Sequence, residues 1–115
     1  MIDFACKTFM LDEIIKCSFG ITKADFKVLD FLVKHDAKWF TTEELSEKLQ
    51  LNLTTIQRAV KKLFEQEVVK RKQNNLENGG YIYIYQIKEK RLLREKIMDI
   101  IEKWKKNVET ALTNW

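Results

Sequence analysis

The chain has 115 residues, of which 45% are hydrophobic, 33% charged and 11% aromatic, with three Gly and no Pro. That balance predicts a single folded domain, and the longest apolar run, Tyr81 to Tyr85, is far too short to span a bilayer. The formal charge of +4, from 21 Lys and Arg against 17 Asp and Glu, is mild, so its placement matters more than its size.

The Met1-Ile2-Asp3-Phe4 start lacks a basic region followed by an apolar stretch and a cleavage site, so the expected location is cytoplasmic, with no membrane partner. Cys6 and Cys17 stand eleven positions apart. On one helix that is roughly 16 Å, beyond disulfide reach, and both read as buried thiols. With His35 they form no zinc spacing, so neither a metal nor a cofactor is expected. A single His, with no Ser-His-Asp set, no HExxH and no phosphate-cradling Gly loop, argues against an enzyme.

Residues 4–19 read as an amphipathic helix with Cys6, Phe9, Met10, Ile14 and Cys17 available to face a neighbour. Three stretches then share one grammar, a capping residue between apolar residues five positions apart: Ile21-Thr22-Lys23-Ala24-Asp25-Phe26, Phe40-Thr41-Thr42-Glu43-Glu44-Leu45 and Leu51-Asn52-Leu53-Thr54-Thr55-Ile56. Each opens a helix with an N-cap and a hydrophobic staple, and Thr41 with Glu44 is a full capping box. The helices are expected at about 23–35, 42–49 and 53–66, the third burying Ile56, Ala59, Val60 and Leu63. Next come an extended arm, Val68 to Gln73, a seven-residue turn from Asn74 to Gly80, and a second arm from Tyr81 to Ile87, a β-hairpin that Lys38-Trp39-Phe40 could flank as a third strand. From about Glu89 to Thr113 the helical period returns, with Leu93, Ile97, Ile100, Trp104, Val108, Ala111 and Trp115 in one stripe widened by Ile101 and Leu112.

Only Gln50, Leu51 and Asn52 separate the second and third capped helices, which forces a sharp crossing, a helix-turn-helix followed by a hairpin. Residues 20–88 therefore resemble the winged helix-turn-helix regulators of the MarR-like and TrmB-like families. The likeness is carried by Phe40 to Leu45, Leu49-Gln50-Leu51-Asn52, Thr54 to Leu63 and Val68-Val69-Lys70-Arg71. The fold class implied is mainly α with a small antiparallel β-hairpin wing (α+β): an N-terminal helix over 1–19, the winged unit over 20–88 and a C-terminal helix over 89–115.

The third helix carries its own chemistry. With its apolar stripe inward, Thr54, Gln57, Arg58 and Lys61 point outward; Gln pairs with adenine and Arg with guanine in a major groove, although an ordinary solvated helix face looks similar. The resemblance implies that Leu53, Thr54, Thr55, Gln57 and Arg58 enter the major groove, that Lys61 and Lys62 lie nearer the phosphates, and that Thr41 and Thr42 offer a phosphate their hydroxyls and N–H groups. In the wing, Lys70, Arg71, Lys72, Asn74, Asn75, Asn78 and Tyr81 are the candidates, although the tip has no Arg and carries Glu77, which suggests a shallow backbone contact. Tyr81, Tyr83 and Tyr85 share one strand face and are expected mainly to pack.

The resemblance further implies a homodimer through the Leu93 to Trp115 stripe, reading double-stranded DNA at an inverted repeat and regulating transcription by occupying a promoter. No residue pattern identifies an effector. The competing reading is a winged-helix interaction module of a transcription or replication assembly, favoured by the arginine-free wing and the three Tyr. The charge supports the first. Residues 52–75 hold six basic residues against two acidic, leaving fifteen of each elsewhere, so the whole excess lies on the third helix and the strand after it.

Overall fold

The computed structural model describes residues 1–115. Its first element differs from expectation. Instead of a helix over 4–19, strands β1 (Ile2–Phe4) and β2 (Lys7–Phe9) pair antiparallel, and only Leu11–Phe19 is helical, as α1. Ile2, Phe4, Thr8 and Phe9 favour extended backbone, Ala5 takes φ +48 at the turn, and the Thr8 hydroxyl donates to Asp3 Oδ1 at 2.7 Å. Cys6 is thereby placed in the turn and Cys17 on the open side of α1. Both thiols are exposed, not buried as their residue type suggested.

Three capped helices follow. In α2 (Lys23–Lys34), Thr22 Oγ1 accepts from the Asp25 N–H at 3.1 Å while Asp25 accepts from the Thr22 N–H at 3.0 Å, a second full capping box. In α3 (Thr42–Leu49), Thr41 and Glu44 exchange the same pair of bonds at 3.0 and 3.2 Å. In α4 (Leu53–Glu65), Asn52 Oδ1 accepts from the Thr55 N–H at 2.8 Å. Each cap satisfies donors that the first turn leaves orphaned.

The turn between α3 and α4 is made without glycine. Gln50 takes the left-handed conformation at φ +53, ψ +42, and the Ser46 hydroxyl donates to the Leu51 carbonyl at 2.6 Å. This turns α4 across α3 so that Ile56, Ala59, Val60 and Leu63 face Leu45, Val28 and Leu32, all of them buried.

Strands β3 (Val69–Asn75) and β4 (Tyr81–Ile87) form the wing, in a register running from Val69 opposite Ile87 to Asn75 opposite Tyr81. The first arm starts one residue later than expected and runs two further, to Asn75, so the loop is shorter, Leu76 to Gly80, while the second arm keeps its expected bounds. Gly79 and Gly80 supply the positive φ of the return. Of the expected third strand only Phe40 pairs, donating to the Tyr85 carbonyl at 2.9 Å and accepting from its N–H at 2.8 Å. Val68, Val69, Tyr85 and Ile87 close the core against the helices.

Helix α5 (Lys90–Thr113) begins on this core and leaves it. Leu93 is buried, and Ile97 and Ile100 pack partly against the core, but every residue from Ile101 to Trp115 is exposed. The result is a rod of 64 × 24 × 23 Å with a radius of gyration of 17.1 Å, against about 13 Å for a compact chain of this length. No helix is long and apolar enough to cross a membrane.

Candidate nucleic-acid interface

With α4 anchored by its buried stripe, Thr54, Gln57, Arg58 and Lys61 are exposed, and Leu53 is partly so at its first turn. Thr55 and Lys62 are half-buried at the margins, so their reach is shorter than that of the other four. None of the six basic residues of the 52–75 segment makes an ion pair; the nearby Glu67 pairs instead with Lys96 of α5 at 3.3 Å. Unpaired cations held on one rigid helix and the adjoining strand form a field suited to a polyanion.

The strand alternation divides the basic run of β3. Lys70 and Lys72 lie on one face of the sheet, their amines 5.6 and 4.6 Å from the centre of the Trp39 ring. Arg71 lies on the other, toward α4, its guanidinium carbon 4.0 Å from the Phe64 ring centre and 4.3 Å from that of Tyr83. The tyrosines pack as expected: Tyr85 is buried, Tyr83 meets Tyr81 edge to face at 5.3 Å, and Tyr81 remains exposed near the tip. Asn75 accepts from the Gln73 amide at 3.1 Å, while Asn74, Asn78 and Glu77 are exposed.

At the start of α3, the Thr41 N–H and hydroxyl oxygen are engaged with Glu44, and the Thr42 hydroxyl donates to Glu43 at 3.2 Å. Two carboxylates in this first turn oppose the phosphate favoured by the helix dipole. The C-terminal stripe is divided as well: Leu93, Ile97 and Ile100 serve their own domain, whereas Ile101, Trp104, Val108, Ala111, Leu112 and Trp115 lie on the exposed part of the helix. Sequence reasoning missed Phe64 and Trp39. Phe64 was legible as a large aromatic outside the buried stripe, seven residues after Gln57 and so nearly beneath it on the helix; Trp39 carried no signal of which strand it would meet.

The sequence pattern of the DnaD N-terminal domain family matches residues 9–108. The chain belongs to this family. A structure described as a possible transcriptional regulator from Methanosarcina mazei superposes with a TM-score of 0.96 at 43% identity, over 100% of this chain and 96% of the other. The uncharacterized protein MJ1503 of Methanocaldococcus jannaschii is 32% identical over 90% of this chain and 76% of its own length. At the level of fold alone, the DNA complex of Staphylococcus aureus MepR matches with a TM-score of 0.53 at 16% identity, covering 89% of this chain and 75% of that one. In this member of the DnaD N-terminal domain family, then, the architecture is that of the winged helix-turn-helix regulators, as the MarR-like resemblance implied.

Proposed function

We propose that the chain is a transcriptional regulator that binds duplex DNA without catalysis, as a homodimer. The observation that carries this reading is α4, whose outward face presents Thr54, Gln57, Arg58 and Lys61 free of internal partners on a helix locked by its buried stripe. A rigid helix with unengaged amide and guanidinium groups meets the requirements of major-groove readout. The solved DNA complex of the MepR fold relative supports the same docking by analogy of architecture.

The dimer is argued from unburied apolar surface. Trp104 is 57% and Leu112 59% exposed on the part of α5 that projects beyond the core, and a groove of about 520 Å³ between α1 and α5 is lined by Phe9, Ile14, Cys17, Ile101 and Trp104. The β1–β2 hairpin is also nearly uncovered, and an isolated two-stranded hairpin is marginal in water. A second copy of the chain covers all three, and two-fold symmetry then sets two α4 helices about one DNA turn apart, reading an inverted repeat.

Selection of bound duplexes from a random pool tests both halves of the reading. The expected product is a pseudo-palindrome bound in a salt-dependent manner, and Arg58→Ala should relax preference at one position of each half-site at a cost of about 1–3 kcal/mol. Recovery of no enriched duplex would falsify the proposal. It would instead favour an interaction module, the reading toward which the exposed Leu76 and Glu77 at the wing tip lean.

A further inference from the structure

Resting on the duplex-DNA reading above, we infer that Arg71 is a backbone clasp. Held between a ring of the recognition helix and a ring of the wing, it grips a phosphate of the DNA strand that runs between those two elements, and Phe64 and Tyr83 are its positioning residues.

The geometry behind this is specific to the chain. Phe64 comes from the last turn of α4 and Tyr83 from the middle of β4, and the Arg71 guanidinium lies 4.0 and 4.3 Å from their ring centres. Stacking engages the faces of the guanidinium and leaves its in-plane N–H donors free. No carboxylate pairs with Arg71 and no side-chain hydrogen bond involves it, and the residue is exposed, so its donors are unengaged and open to solvent. A planar fork with its orientation set in advance suits a phosphate, because less side-chain freedom is lost on contact.

The location selects the backbone over a base. A helix in the major groove and a hairpin over the neighbouring minor groove must straddle the sugar-phosphate strand that bounds both grooves. Arg71, near the root of the wing, stands against Phe64, which lies roughly 10 Å along α4 from the level of Gln57. Lys70 and Lys72 point to the opposite face, against Trp39. The clasp also accounts for a wing whose tip offers no arginine. Its DNA contact lies at the base, where two aromatic rings fix it.

The test uses the full-length chain and a labelled duplex from the random-pool selection, titrated over a salt series. Arg71→Ala should weaken binding about tenfold or more. The loss should be the same on selected and scrambled duplexes, and the slope of log affinity against log salt should fall by about one. Phe64→Leu leaves every charge in place and should weaken binding about threefold; in the Arg71→Ala background it should add nothing. Tyr83→Leu removes the other ring and reads the same coupling if Phe64→Leu disturbs α4. The clasp is overturned if the wild-type chain binds duplex while Arg71→Ala keeps its salt slope, or if the ring substitutions act additively with Arg71→Ala. A wild-type chain that binds no duplex at all overturns both the clasp and the DNA reading.

Discussion

Gln50 illustrates how a single side chain holds the candidate interface in place. Its left-handed backbone, at φ +53, sets the crossing of α3 and α4 and therefore the aim of every residue on the α4 outer face. A residue with a Cβ pays about 1 kcal/mol for that conformation, which glycine avoids at the expense of greater freedom in the unfolded chain. Gln50→Gly is therefore expected to stabilise the protein by about 0.5–1 kcal/mol and raise the thermal midpoint by about 3 °C. Scanning calorimetry reads this directly, and an unchanged or lower midpoint means that the Gln50 side chain contributes something that the backbone argument omits. The capping residues Thr22, Thr41 and Asn52 were legible from sequence because a cap and its partner lie three residues apart. The bracket around Arg71 was not, because Phe64, Arg71 and Tyr83 meet only when a helix, a strand and its return are folded together.

Among the elements, the helix-turn-helix and wing follow local rules, and the first nine residues break the rule that helical spacing suggested. Cys6, Phe9 and Met10 satisfy a helix pattern, yet Ile2, Phe4, Thr8 and Phe9 satisfy a strand pattern equally well, and no Asn-Gly turn announces the hairpin. Here the left-handed turn at Ala5 and the Thr8 to Asp3 hydrogen bond accompany the strand pairing. The wing presents a different question, since its ladder reaches Asn75 and carries Glu77 in the loop at its end. Reversing that charge by Glu77→Lys removes a repulsion from phosphate and should strengthen duplex binding several-fold at low salt, with a salt slope increased by up to about one. Fluorescence anisotropy across a salt series is the measurement, and identical slopes for the two proteins place the tip clear of the DNA.

For the complete chain, the deciding feature is the long α5. A protein whose radius of gyration is 17.1 Å leaves apolar surface unburied along its projecting end, where Trp104, Val108 and Leu112 line one side. Leu112 makes no part of the domain's own core. Leu112→Glu is therefore expected to convert a dimer to a monomer while moving the thermal midpoint of the winged core little, and to lower operator affinity about a hundredfold through loss of bivalent binding. Analytical ultracentrifugation and a binding titration decide it. A wild-type chain that sediments as a monomer removes the two-fold operator with it.

Local chemistry written in the chain accounts for the helices α2 to α4, their caps, the sharp turn, the two wing arms and the concentration of positive charge in residues 52–75. All of these depend on residues a few positions apart, where periodicity and capping act before any long-range contact forms. Burial, pairing and orientation depend on distant residues brought together. Folding exposed Cys6 and Cys17, set Lys70 and Lys72 against Trp39, divided the α5 stripe between the domain's own core and open surface, and joined Phe64 and Tyr83 around one guanidinium. The physical reason is that a side chain's position along a helix or strand fixes its direction, but only the packed core determines what stands there to meet it.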